Sequence, residues 1–183
     1  IADRTAALAR AMREGDGEAV LVLSGHLSHY VADLHQPLHL TRNFDGQETH
    51  NDGVHMAFER FLIERRRDAF RPSTRGEEPP RPIADASHEG TWKSTVARWA
   101  LGRAAEIFPS AREVLSADTA AVLAVRREGS DYYRELDRRA GPLARRLLAQ
   151  SSRATAALWL TAWIEAGRPQ PSSWRGAAPR RRE

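Results

Sequence analysis

Residues 18–39 have the sequence EAVLVLSGHLSHYVADLHQPLH, and this stretch decides how the rest of the chain is interpreted. Apolar side chains recur at helical spacing as far as Leu34, and Asp16 precedes them as the expected N-cap. Pro37 ends the helix, because the residue before a proline is pushed out of the α-helical conformation. The pattern therefore predicts a helix over 18–34 and a break directly after it.

The same helical spacing of apolar residues recurs along almost the whole chain, and no run of strict alternation indicates a β-strand. The sequence predicts an all-α fold, a single-domain helical bundle over 1–169 with a tail over 170–183. A short helix around Leu8 ends at Gly15, and a proline-rich connection covers 71–90. The remaining predicted helices are 53–70, 91–107, 111–127, 132–139 and 143–166.

Composition limits the chemistry that the chain can use. It has 183 residues and no cysteine, which excludes disulfides, thiolate zinc sites and cysteine nucleophiles. Any metal site must therefore use His, Asp and Glu. With 28 basic and 24 acidic residues the formal charge is only +4, so no basic nucleic-acid groove is indicated. No secretion signal or transmembrane stretch is visible, and the chain begins at Ile1 without a methionine.

Histidines are concentrated in one part of the chain. Six of the seven lie between His26 and His55, where a uniform distribution would place about one. Two of the six have a carboxylate four residues later, in the pairs His29/Asp33 and His55/Glu59. On a helix such a pair shares one face and can meet one metal ion, although the same spacing also forms simple surface ion pairs. Imidazole with carboxylate suits zinc or another first-row divalent ion.

Two strings around these pairs have a family likeness. Residues 29–39, HYVADLHQPLH, and residues 51–59, NDGVHMAFE, resemble the zinc-dependent phospholipase C and single-strand-specific nuclease superfamily. The spacing His-x3-Asp-x5-His, with Gln-Pro-Leu before the last histidine, is the specific part. Residues 158–169 also resemble the end of the last helix in bacterial members. The resemblance implies an all-helical fold with a trinuclear zinc cluster in a cleft between helices.

The resemblance also implies roles for individual residues. His29 and Asp33 would bind the first zinc, and Asp33 would bridge to a third ion as the residue closest to catalysis. His39, His55 and Glu59 would hold the second zinc. Glu59 is similar to the phospholipase branch, since the nuclease branch usually has Asp there. The family's general base is an upstream Asp with no counterpart in this chain, so no general base is identified.

Some ligands of the family are missing from the sequence. Members carry an N-terminal tryptophan and further His and Asp ligands upstream, and only 28 residues precede His29. We therefore expect the chain to be the C-terminal portion of a longer enzyme that binds up to three zinc ions. The alternatives are a reduced relative with altered metal content and a non-catalytic zinc-binding helical domain.

The expected activity is hydrolysis of phosphodiester bonds by zinc-activated water. By resemblance, the substrate is a phospholipid head group or, as the alternative, a single-stranded nucleic acid, and the location is secreted or periplasmic. No stable protein partner is evident, and the sequence does not indicate an oligomeric state. Among the other histidines, we expect His26 to be a packed neighbour, His35 and His50 to be loop residues near the ligands, and His88 to be solvated.

Overall fold

The computed structural model of the chain describes residues 1–65, 78–84, 92–125 and 129–176. Within these ranges the regular structure is helical and no β-strand occurs, which confirms the predicted all-α fold. A 3₁₀ turn occupies Pro37–Leu40, a π-helical turn Ala57–Phe61 and a second 3₁₀ turn Pro171–Ser173. The α-helices are α1 (Ala2–Glu14), α2 (Gly17–Leu34), α3 (Val54–Met56), α4 (Leu62–Arg65), α5 (Trp92–Ile107), α6 (Ser110–Ala124) and α7 (Ser130–Glu165).

The chain divides into two compact units, each with its own buried apolar core. The first unit comprises residues 1–31, 78–102 and 152–183, and the second comprises 32–77 and 103–151. The sequence carries no signal for this division, because both units are helical and their segments alternate along the chain. No helix in the described ranges combines the length and the apolar character that crossing a membrane requires.

The first unit is built around α1 and α2. Gly15 adopts a left-handed conformation with φ of 70° and ends α1, and Asp16 begins α2 by accepting a hydrogen bond from the Ala19 N–H at 3.0 Å. The N-cap predicted at Asp16 is thereby confirmed. The core of this unit is formed by aliphatic side chains that are 0 % exposed, namely Leu8, Leu27, Val31, Val96, Leu158 and Ala162.

Residues 170–176 are part of the first unit, although the sequence predicts a tail from Gln170. The Arg175 N–H donates to Gly15 O at 2.8 Å, and the Gly17 N–H donates to Arg175 O at 2.8 Å. Trp174 packs against the apolar core of the unit. This segment therefore closes over the junction between α1 and α2, while residues 177–183 lie outside the described residues.

The second unit contains a buried polar cluster that fixes its longest described loop. The Asn51 side chain donates to Asp118 Oδ2 at 2.6 Å and to Thr119 Oγ1 at 2.9 Å, and Tyr132 donates to the other oxygen of Asp118. Asp118 is 0 % exposed, so removing a partner would leave a buried carboxylate poorly satisfied. The apolar core around this cluster includes Leu38, Val54, Leu62, Val114, Leu136 and Leu143.

Helix α7 runs without interruption through a point where the sequence predicts two helices. The prediction of separate helices over 132–139 and 143–166 is wrong, because Pro142 lies inside the helix instead of ending it. An added Cβ on Gly141 would overlap the Asp137 carboxylate, so glycine is what lets that side chain lie close to the backbone. Arg145 pairs with Asp137 at 3.1 Å, and this contact spans the proline turn.

The predicted helix over 53–70 begins one residue later than expected and is interrupted. It starts at Val54, widens into the π-helical turn Ala57–Phe61 and continues as α4. Residues beyond 65 and most of the proline-rich connection, with His88, lie outside the described residues. The described part of that connection, residues 78–84, has no regular structure, and its Ile83 N–H donates to Thr161 Oγ1 at 2.9 Å.

Candidate metal centre

The end of α2 places His39 through a short, closely bonded turn. Gln36 cannot continue the helix because Pro37 follows it, and its side-chain oxygen instead accepts a hydrogen bond from the Leu38 N–H at 2.9 Å. The His39 N–H donates to Gln36 O at 3.0 Å. This 3₁₀ turn has its apolar side chain Leu38 fully buried in the core of the second unit, which orients His39 away from the core.

The loop after this turn places His55. Asp45 Oδ1 accepts a hydrogen bond from the His55 backbone N–H at 3.2 Å, and the Val54 N–H donates to Asn51 O at 2.9 Å. The structure uses Asp45 to hold the backbone of His55, and it uses the Asn51 side chain to anchor the loop on α6.

Three side chains of the second unit converge at one point. His39 Nε2 lies 3.2 Å from His55 Nε2 and 3.2 Å from Glu59 Oε2, and His55 Nε2 lies 2.8 Å from the same carboxylate oxygen. The two imidazole rings are stacked with centroids 4.9 Å apart. Two ring nitrogens and a carboxylate oxygen can all act as acceptors, so their convergence favours a cation between them.

The donor set fits zinc. Ligand atoms of a tetrahedral zinc ion with bonds of about 2.0–2.1 Å lie about 3.3 Å apart. The separations of 2.8–3.2 Å are close to that value, and a small outward movement of the side chains would match it. The side chains of His39, His55 and Glu59 are 27 %, 20 % and 45 % exposed, so the centre is accessible from solvent.

The electrostatics of Glu59 also suit a metal ligand. Burial opposes ionisation, but the hydrogen bond from Gln36 and the charges that His39 and His55 can carry outweigh it, and the pKa of the Glu59 carboxyl is lowered from its ordinary value. The residue is therefore a carboxylate at neutral pH. It lies in the π-helical turn Ala57–Phe61, a type of distortion that is frequent at functional sites.

A cavity of about 110 Å³ adjoins two of the three side chains, His39 and Glu59. His39, Gln36 and Glu59 form part of its wall, and α7 supplies much of the remainder. The residues of its lining that the structure describes include no lysine or arginine. The apolar side chains that line it are Ala32, Phe58, Ile63, Ala144, Leu147 and Leu148.

The five residues implied by the resemblance do not all fall in one group. His39, His55 and Glu59 form the group, as expected for a shared ion. Asp33 lies beside it, with Oδ1 3.3 Å from His39 Nδ1, the nitrogen on the far side of the ring from the convergence point. His29 is an exposed residue of α2 with its ring 6.0 Å from that of Tyr30. The predicted roles of His29 and Asp33 at a first zinc stay predictions.

The other histidines lie elsewhere. His26 is exposed on α2 rather than packed, His50 is exposed in the loop with φ of 61°, and His35 is buried and lines the cavity. Sequence reasoning missed Gln36, which donates to Glu59 Oε2 at 3.2 Å. Its position directly before Pro37 was the available signal, since a side chain there can cap the following turn.

Comparison of the chain with protein-family models, with curated proteins and with solved structures finds no match. The superfamily resemblance is therefore supported only by the residues within 29–59 and 158–169, and it stays a prediction.

Proposed function

We propose that this chain is a zinc-dependent hydrolase of phosphodiester bonds that resembles phospholipase C and acts on a phospholipid. The observation that carries the proposal is the convergence of His39 Nε2, His55 Nε2 and Glu59 Oε2 within 2.8–3.2 Å of one another. Three protein ligands of this kind match catalytic zinc sites, which keep a coordination position open. Bound zinc supplies Lewis acidity and lowers the pKa of a coordinated water to about 7.

The protein's own contribution is to hold the ligands and to leave access for substrate. His39 is fixed by its 3₁₀ turn, His55 by the bond from its N–H to Asp45, and Glu59 by the Gln36 amide. The ligands face solvent, so a phosphodiester group can approach the centre. Near-neutral net charge is compatible with this chemistry, because the ion would bring the positive charge that a phosphate needs.

The cavity supports a substrate with an apolar part. Among the described residues, its wall beside Glu59 carries Phe58 and Ile63 and no cationic side chain, whereas proteins that bind a nucleic-acid backbone neutralise phosphates with Lys and Arg. Glu59 in place of Asp favours the same branch by resemblance. Both observations favour a phospholipid over single-stranded nucleic acid.

Metal content and hydrolysis, measured on the same preparations, test the proposal. The purified chain is stripped with chelator, reloaded with zinc, dialysed, analysed by elemental mass spectrometry and assayed with bis(p-nitrophenyl) phosphate. We expect at least one zinc per chain and zinc-dependent hydrolysis. Glu59→Gln should lower both, while Glu64→Gln, an exposed carboxylate that pairs with Arg60, serves as the matched control.

The outcomes separate the hypotheses. Zinc binding without hydrolysis would support the non-catalytic zinc-binding domain, and absence of zinc from a folded chain would overturn the proposal. A parallel assay of short-chain phosphatidylcholine against single-stranded DNA then identifies the substrate class. Cleavage of DNA alone would contradict the phospholipase C-like assignment and favour the nuclease alternative.

A further inference from the structure

Two side chains lie directly behind the three converging ligands, one in the last turn of α2 and one directly after that helix. Asp33 approaches His39 and Gln36 approaches Glu59. They are three residues apart, and the Gln36 N–H donates to Asp33 O at 3.1 Å, so the two positions are held together by the backbone.

The Asp33 carboxylate faces the side of the His39 ring that does not face the other ligands. Asp33 Oδ1 lies 3.3 Å from His39 Nδ1, whereas His39 Nε2 points to Glu59 and His55. A neutral imidazole that offers a lone pair at Nε2 must carry its proton at Nδ1. A carboxylate at Nδ1 stabilises this tautomer and fixes the plane of the ring.

Gln36 connects a ligand to the backbone of the turn. Its Nε2 donates to Glu59 Oε2 at 3.2 Å, and its Oε1 accepts from the Leu38 N–H at 2.9 Å. Because a backbone N–H can only donate, the second bond determines which end of the amide is oxygen. The side chain is 8 % exposed, so it holds the Glu59 carboxylate from a buried position.

We propose that Asp33 and Gln36 are positioning residues, Asp33 for the tautomer and orientation of His39 and Gln36 for the carboxylate of Glu59. In this role Asp33 acts through His39, without itself binding the ion that His39 holds. The inference rests on the metal-binding part of the proposed function and is independent of which ester is cleaved.

The first test substitutes Asp33→Asn, which keeps the shape of the side chain and removes its charge. Long-range ¹⁵N–¹H correlation spectra of the zinc-free protein report the His39 tautomer directly. We expect Nδ1–H to predominate in the wild-type chain and to lose that predominance in Asp33→Asn. The affinity of the tightest zinc, measured by chelator competition, should fall about 10- to 100-fold, and that ion should still bind at saturating zinc. Asp52→Asn is the matched control.

The second test substitutes Gln36→Glu. A carboxylate can still accept the Leu38 N–H bond, so the turn keeps its cap, but it cannot donate to Glu59 and repels it. We expect about a 10- to 100-fold loss of zinc affinity, while the Leu38 amide keeps its protection from hydrogen exchange. Gln36→Met, which removes both bonds, should also lose that protection, and Gln150→Glu is the control.

Several results would overturn the inference. An unchanged His39 tautomer together with unchanged affinity would remove the role of Asp33, and complete loss of the tightest zinc in Asp33→Asn would make Asp33 a ligand of the His39 ion instead. Unchanged affinity in Gln36→Glu would remove the role of Gln36. Reduced affinity in a chain that hydrolyses nothing would leave this inference standing while the proposed activity fails. A wild-type chain that binds no zinc would overturn both.

Discussion

The spacing His-x-x-x-carboxylate occurs twice in the chain, once on a regular helix and once in an irregular segment. The two pairs differ in whether a third side chain joins them to form a group that could bind a metal ion. On α2, His29 is exposed beside Tyr30, and Asp33 lies against His39. In the segment 36–59, His55 and Glu59 meet at 2.8 Å and His39 joins them.

The difference lies in the backbone around each pair. The part of α2 that carries His29 is regular α-helix, with exposed apolar side chains at Leu21, Val22 and Tyr30. The segment 36–59 changes direction through a 3₁₀ turn, a loop and a π-helical turn. Helical spacing brings two side chains onto one face, but a third ligand requires the chain to turn back on itself, and only the second segment does so.

The largest effect is expected when the convergent group loses a ligand. His55→Ala removes one of the three donor atoms. Zinc affinity should therefore fall by more than about 100-fold, the most that is usual when a residue that only hydrogen-bonds to a ligand is lost, and hydrolysis should fall with it. Chelator competition and the phosphodiester assay measure the two quantities. His26→Ala, an exposed histidine of α2, is the control. If His55→Ala kept its full zinc content, His55 would be excluded as a ligand.

Local chemistry explains what the sequence could predict. Periodicity and capping placed α1, α2, α5 and α6 close to their observed ends, and the all-α fold followed from them. Helical spacing predicted the His55/Glu59 pair, and the family resemblance implied that His39 joins it.

The rest depended on tertiary contacts. Pro142 is tolerated in α7 where Asp137 and Arg145 pair across it, and residues 170–176 are ordered by bonds to Gly15 and Gly17. The roles of Asp33 and Gln36 likewise depend on which atom of another residue each one faces. Spacing along the chain does not determine that.

A second prediction concerns the loop of the irregular segment. Gly46 has φ of 80°, and an added Cβ would lie 2.6 Å from the Asn51 backbone. Gly46→Ala should therefore lower the free energy of unfolding by about 2–4 kcal/mol, from left-handed strain and overpacking together. Urea denaturation followed by circular dichroism measures it. Because the loop also carries Asp45, which holds the backbone of His55, zinc affinity should fall in the same variant. An unchanged free energy of unfolding would contradict the prediction and show that the loop accommodates the added methyl group.

A third prediction applies the same substitution to the regular helix. Gly25 lies within α2, and an added Cβ would meet nothing within 4 Å. Gly25→Ala should raise the free energy of unfolding by up to about 1 kcal/mol, because alanine restricts the unfolded chain and favours helix. Urea denaturation again measures it, and Gly102→Ala in α5, with equally open surroundings, repeats the test. A destabilised Gly25→Ala chain would mean that this face of α2 is covered.

The smallest effect on zinc affinity is expected at His29. This residue begins the His29/Asp33 pair, as His55 begins the His55/Glu59 pair, so the same substitution compares the two pairs directly. By resemblance His29 binds a different zinc ion from His39. His29→Ala should therefore change the affinity of the tightest zinc, the ion held by His39, by less than about tenfold, the smallest loss expected when a residue that hydrogen-bonds to a ligand is removed. Any zinc that it loses should be a separate, additional equivalent, which elemental analysis counts. Loss of the tightest zinc would place His29 among the ligands of the His39 ion. It would also show that helical spacing alone had identified the centre, contrary to the contrast between the two segments.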